Sequence, residues 1–242
     1  ILSGLVGSEM CIRDSTYTML GTPSSNATTV GSYFSYTSFN GAYDPLIVRW
    51  ANVDADQGPQ PQVWNPTATN SAGYLRIDSG SKIVTAYNTR QETLIWSDTA
   101  LTSLQFLGTS EVFGKQELSH VTTIMGPNVV VEANNIIFWM GLTKFYTYSG
   151  RVDTLPCTLR QYIFNDINMN LRQIFFAGTN SEFNEVIWFY CSATAQEIDR
   201  YVIFNHADSI WYYGQLTRTA WTDVSGRDFP VATAGGYLYN HE

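Results

Sequence analysis

Three tryptophans, Trp96, Trp139 and Trp188, stand 43 and 49 residues apart, each inside a short run of aromatic and β-branched residues. Such side chains suit a pleated, half-buried surface, and Asn, Gly, Ser and Asp fill the gaps, so each run reads as a strand bounded by turns. Aligned on the tryptophans, the chain falls into units. The first holds Ile83–Tyr87, Thr93–Trp96, the Ser97-Asp98 pair and Leu104–Gly108. The second holds Val129–Val131, an Asn134-Asn135 turn, Ile136–Trp139, and Phe145–Tyr148 closed by Ser149-Gly150. The third holds Ile174–Phe176, Val186–Tyr190, Tyr201–Phe204, a turn at Asn205–Ser209, and Ile210–Tyr213.

A recurrence of about 40 to 50 residues carrying several strands is the period of a four-stranded blade repeated around an axis. The predicted fold is therefore all-β: a partial β-propeller of three- to four-stranded blades. Several strands are apolar on both faces, which fits sheets covered on each side by a neighbour. Trp96, Trp139 and Trp188 occupy equivalent points of successive units and read as packing residues. Val231–Ala234, Gly235-Gly236 and Tyr237–Tyr239 open another unit as a hairpin. Ile47–Trp50 reads as the end of an earlier one. Leu159, Ile163 and Ile167 lie at helical spacing behind Thr158, an N-cap just after Pro156, and predict one short helix between blades.

Hydrophobic residues make up 44% and charged residues 14%, so the chain buries much surface and is solvated mainly by uncharged polar side chains. With 13 Lys and Arg against 21 Asp and Glu, a net charge of −8 disfavours tight binding to nucleic-acid phosphates, so no sequence-specific nucleic-acid partner is expected. No stretch of about 18 apolar residues occurs, so no membrane-spanning helix is predicted. Cys157 and Cys191 have no CxxC spacing and no neighbouring histidine, and read as small buried hydrophobes.

The search for chemistry yields weak candidates. Gly108–Lys115 resembles a phosphate loop, but five residues separate its glycines and Gln116 replaces the hydroxyl, so it reads as a strand-end turn. Asp54–Gly58 has the look of a calcium loop, yet Asn65 stands where its closing glutamate belongs. His120, His206 and His241 lack ligand spacing. No nucleophile elbow occurs. Asp98, Asp153, Asp166, Glu185, Asp199 and Asp208 could supply a glycosidase pair, but most adjoin turns, where carboxylates cap backbone amides. The Ser-x-Asp-x-Gly-x-x-Trp box repeated in sialidase-type propellers is missing. No catalytic, cofactor-binding or metal-ligating residue is expected, and no cofactor. Trp50, Trp64 and Trp221, less regular in spacing, are the candidates for surface recognition.

Two resemblances complete the reading. Leu5–Ser15, Leu-Val-Gly-Ser-Glu-Met-Cys-Ile-Arg-Asp-Ser, resembles the translation of a sequencing-library adapter. It implies that 1–15 are foreign to the protein and that the natural sequence begins near Thr16, so that the chain is a fragment. The expected segments are then 16–75, loop-rich with a partial blade, and 76–242, with blades at about 76–120, 121–170 and 171–228 and another starting from 229. Val48-Arg49-Trp50, Trp64-Asn65-Pro66, Thr89–Glu92, Trp139–Tyr146, Leu155–Gln161, Phe164–Asn168, Gly178–Asn180, Asp199–Val202 and Arg218–Trp221 together resemble a family of virion structural proteins of tailed phages from environmental samples. The family implies a non-enzymatic subunit of a tail nozzle or hub at the DNA-exit conduit. Its implied partners are other tail or portal proteins, in a homo-oligomeric ring within a virion assembled in the bacterial host cytoplasm. A carbohydrate-binding receptor-recognition propeller is the alternative, and a glycoside hydrolase the third.

Overall fold

The computed structural model describes residues 18–20, 44–50, 66–108, 111–223 and 229–241. The adapter-like stretch, the Asp54–Gly58 loop and Trp64 lie outside them. The chain divides into two compact units, residues 1–121 and 122–242.

In the first unit, β1 (Thr18–Leu20), β2 (Ile47–Trp50) and β3 (Gly73–Arg76) form a three-stranded antiparallel sheet in sequence order. The next sheet is a four-stranded meander of β4 (Ile83–Asn88), β5 (Thr93–Ser97), β6 (Leu101–Phe106) and β7 (Phe113–Ser119). Leu46, Val48 and Ile77 from the first sheet and its flanks pack against Ile95 and Leu104 of the second, forming one apolar core. Burying side chains of this size stabilises by roughly 1.5–3 kcal/mol each.

The second unit begins with a four-stranded meander: β8 (Val130–Ala133), β9 (Ile136–Met140), β10 (Phe145–Tyr148) and β11 (Val152–Leu155). Asn134 and Asn135 both take positive φ (51° and 59°), the backbone that a two-residue hairpin turn demands. A six-residue helix α1 (Arg160–Asn165) and a 3-10 turn (Met169–Ile174) lead to a second meander, β12 (Phe176–Asn180), β13 (Glu185–Tyr190), β14 (Arg200–Asn205) and β15 (Ile210–Gln215). A three-stranded sheet follows, of β16 (Ala220–Thr222), β17 (Val231–Ala234) and β18 (Tyr237–Asn240). Its first strand precedes 229, where the sequence pattern starts this unit.

Each sheet is an up-and-down meander, and first strands lie beside first strands: β1 by β4 in one unit, β8 by β12 and β12 by β16 in the other. That is the arrangement of propeller blades, with a short α-helix between two of them, as the sequence predicts. Several details differ. In the β4–β7 sheet the third strand begins at Leu101, ahead of the Leu104 start read from the sequence, and a fourth strand, β7, follows, as β11 does in the β8–β11 sheet. Ile174 and Phe175 precede β12 instead of opening it. The cap of α1 is Leu159, whose side chain makes no capping hydrogen bond, so Thr158 does not serve. The helix is held by Ile163, which is fully buried.

Candidate functional site

The second-strand tryptophans are structural. Trp96, Trp139 and Trp188 are each fully buried, in β5, β9 and β13. Their equivalence holds for the strand, and for the face at Trp139 and Trp188 but not at Trp96. Side chains alternate along a strand. Ile95 packs toward the preceding sheet, so Trp96 points the other way. Phe138 meets Phe204 of the following sheet, so Trp139 points away from it. Trp188 points back to the β8–β11 sheet, packing on Phe145 (4.8 Å) and donating from Nε1 to the Val129 carbonyl at 3.0 Å.

Two of the tryptophans expected at a recognition surface are packing residues as well, which corrects that reading. Trp50 is 5% exposed; it donates from Nε1 to the Ser71 carbonyl (2.7 Å) and meets the Phe113 ring edge-on at 5.0 Å. It sits in the second strand of its sheet, as the regular tryptophans do. Trp221, half-buried, lies between Phe189 (5.5 Å) and His241 (4.7 Å).

The carboxylates do turn work. Ser81 gives its backbone N–H and hydroxyl to the two oxygens of Asp98 (2.7 and 2.6 Å), and Ser192 does the same for Asp199 (2.8 and 2.7 Å). Ser181 donates both groups to Asp223 (2.7 and 2.5 Å), which Thr179 also reaches. Burial pushes the Asp98 carboxyl up, but the Ser81 hydrogen bonds, with the Lys82 amide, hold it below the usual carboxylate range. Asp153 pairs with Arg151, and Asp166 faces Arg200 at 3.8 Å across from Asp199 at 3.7 Å. Glu185 is raised by burial. The Asn205 side chain accepts from the amide of Asp208 in their turn.

The histidines are dispersed. His120 pairs with Glu117, His206 stacks on Phe138 (6.1 Å), and His241 Nε2 accepts from Arg218 Nε at 3.0 Å. Among the described residues no cluster of His, Cys, Asp or Glu is placed to hold a metal ion. Burial raises both cysteine thiols to about 11. Gly108 is a turn residue at φ +65°, and Lys115 lies in β7, where it donates to the Arg76 carbonyl and Asp78 (both 2.6 Å); neither makes a phosphate loop. No helix among the described residues is long and apolar enough to cross a membrane.

Two surface features remain. The first is apolar exposure on outer strands. Tyr237 and Leu238 in β18 are 71% and 74% exposed, while Ile210, Tyr212 and Tyr213 in β15 are about half exposed, with Tyr162 of α1 against Tyr213 at 4.7 Å. The second is an open cleft of about 430 Å³ in the first unit, between β3 and the start of β7. Its frame is fixed locally. Thr67 N–H donates to Asn70 Oδ1 (2.9 Å), closing the Pro66–Asn70 turn, and the Trp50 indole ties that turn's end down through Ser71. Gly73, opposite Trp50 in the ladder, leaves the room its ring occupies. Tyr74 and Glu111 stand exposed on the lining, and Phe113 is half-buried there. No periodicity marks this cleft, because its residues come from a turn and two strand ends.

No family model matches the sequence, and no curated protein is similar to it. Among solved structures, Kluyveromyces lactis Hsv2 is similar at 10% identity with a TM-score of 0.40. The likeness covers 78% of this chain, and the chain spans 65% of that protein's length. The fold assignment rests on the sheet topology.

Proposed function

We propose that this chain is a non-enzymatic structural subunit of a tailed-phage virion, in the nozzle or hub of the tail. The observation that carries the structural part is the division of labour among side chains. Four of the six carboxylates that could have formed a catalytic pair, Asp98, Asp153, Asp166 and Asp199, are engaged by serine or arginine donors, whereas tyrosine, leucine and isoleucine side chains stand exposed on outer strands. Exposed apolar side chains next to unpaired strand edges are what one chain offers another in an assembly. The phage assignment rests on the sequence resemblance from Val48 to Trp221. In this reading the chain's copies form a ring with tail and portal proteins, and the net charge of −8 lets carboxylates facing a DNA conduit repel the passing phosphates.

Mass spectrometry of density-purified phage particles tests the proposal. Peptides of this chain are expected to co-sediment with capsid and portal peptides in fixed ratio. Recovery only from the soluble, particle-free fraction would contradict it.

A further inference from the structure

We propose that the open edge of β18 binds an extended segment of another polypeptide as the fourth strand of its sheet, with alternate side chains of that segment seated between β15 and β18. Among the described residues three sheets have four strands, whereas β16–β18 has three. Ladder pairing fixes which side chains face the fourth position. Phe189 packs on Trp221, so the face of the β12–β15 sheet that carries Phe189 looks toward β16–β18. Ile187 shares that face, and the pairs Ile187–Ile203 and Ile203–Tyr212 put Tyr212, with Ile210, on it as well. Trp221 pairs through Ala232 with Tyr239, so Tyr239 and Tyr237 look back toward β12–β15. All four outer side chains are at least 41% exposed, although they line the gap between two packed sheets. On the other face of β15, toward a four-stranded sheet, Trp211 is half-buried; it packs on Phe145 at 4.8 Å and donates to the carbonyl of Pro156, next to the fourth strand β11. One added strand beside β18 accounts for all four exposures at once.

The edge itself is ready to pair. Gly235-Gly236 is a two-residue turn, which makes Ala234–Tyr237 a hydrogen-bonded pair, so the N–H and C=O groups of Leu238 and Asn240 point away from β17. No described backbone group pairs with them. Tyr237–Asn240 carries no charge and no proline, the devices that protect an edge strand, whereas β7 holds Lys115 and Glu117 and β11 holds Asp153.

Charge and room specify the occupant. Neither β15 nor β18 brings a charged side chain, so the inward positions of the segment are apolar. Arg218 lies over the Tyr239 ring (4.6 Å) and donates to His241 and the Thr217 carbonyl, but pairs with no carboxylate among the described residues, so an acidic residue beside the apolar ones completes the match. The β18 edge of a second copy does not fit. By strand order, a two-fold pairing would put β15 of one copy above β18 of the other, where that copy's own β14 lies. The position takes a single strand. The inference deepens the assembly reading and rests on it for the origin of the segment in a tail or portal partner; the edge is tested without particles, so either can fail alone.

The test is NMR titration of the full chain with the acetylated, amidated peptide Val-Thr-Val-Thr-Val-Thr-Glu, whose valines and glutamate share one face of a strand. Saturable binding with a Kd below about 1 mM is expected, with slowed exchange of the Leu238 and Asn240 amides. The peptide N-methylated at its threonines, which lacks the N–H groups directed at β18, should not bind, and a lysine in place of the glutamate should weaken binding several-fold. Leu238→Pro removes an outward N–H without touching the β17 ladder and should weaken binding about tenfold or more, and Leu238→Ala by no more than about twofold. Tyr212→Ala should weaken it about fivefold and gives a second readout should Leu238→Pro disturb folding. No binding, equal binding of the N-methylated peptide, or binding indifferent to both Leu238→Pro and Tyr212→Ala would overturn the proposal. So would protection of Leu238 and Asn240 that rises with protein concentration in the absence of peptide, which would seat a second copy there.

Discussion

The indole of Trp221 lies across Gly178, where a β-carbon would overlap Cδ1 and Cγ of the ring, and its Nε1 donates to the carbonyl of the next residue, Thr179, at 2.7 Å. Gly178 is in β12 and Trp221 in β16, the first strands of neighbouring sheets. A glycine is needed there for the space it leaves, since its φ is not in the left-handed region. Gly178→Ala is expected to push the indole off the strand and destabilise the second unit by about 1–3 kcal/mol, the cost of overpacking a filled interface. Urea denaturation checks this. An unchanged midpoint would mean that Trp221 does not hold the two sheets together.

Trp188 carries the neighbouring joint. Its ring is fully buried among Phe145 and Trp211, and its N–H satisfies the carbonyl of Val129, itself inaccessible to water. Trp188→Phe removes part of the ring and the shorter of that carbonyl's two hydrogen bonds, leaving only the Met140 amide at 3.4 Å, for an expected loss of about 1–3 kcal/mol. Trp188→Ala should cost about 3–5 kcal/mol and lower the yield of folded protein. Equilibrium unfolding by tryptophan fluorescence and circular dichroism measures both.

How much of this was legible beforehand depends on what each strand must bury. Inner strands such as Ile136–Met140 and Glu185–Tyr190 are covered on both faces, so they appear in the sequence as unbroken apolar runs. Outer strands are not, and Phe113–Ser119 and Val152–Leu155, with Lys, Gln, Glu, Asp and Thr among their residues, escape a search for such runs. The face of Trp96 was hidden for another reason. A repeat of 43 residues fixes which strand a residue falls in, while the face alternates from one residue to the next, so an alignment off by one residue reverses it. The cleft was partly legible: Trp50 was singled out, but as an exposed residue, when its part is to fix the turn beneath which it is buried.

Stability should fall on the acid side in two stages. His206 and His241 are both held below the ordinary histidine range, chiefly by burial and, for His241, also by the charge of Arg218. The unfolded chain therefore binds more protons than the native one as pH drops below about 6.5, and stability declines through the native pKa values of these groups. Asp44 and Asp98, lowered in the native state, add a second decline that starts near pH 4, where the unfolded carboxyls protonate first. Urea midpoints from pH 8 to pH 3 test the sequence of events. Asp98→Asn should flatten the lower step and leave the upper one intact, and a midpoint that rises on acidification would contradict it.

The cysteines should be poor nucleophiles. With both thiols raised to about 11 by burial, the thiolate fraction at pH 8 is about one in a thousand. In a disulfide-exchange assay Cys157, half-buried, is expected to react slowly, and Cys191, fully buried, only after denaturation. Native-state labelling of Cys191 at the rate of a free thiol would show that the β12–β15 sheet opens readily.

The stack of sheets is tested most directly by hydrogen–deuterium exchange resolved to single strands. Amides of Thr93–Ser97, Ile136–Met140 and Glu185–Tyr190, paired on both edges and buried on both faces, are expected to exchange slowest, and those of Val152–Leu155 and Tyr237–Asn240 among the fastest. Equal protection in inner and outer strands, or fast exchange around Trp96, Trp139 and Trp188, would contradict it.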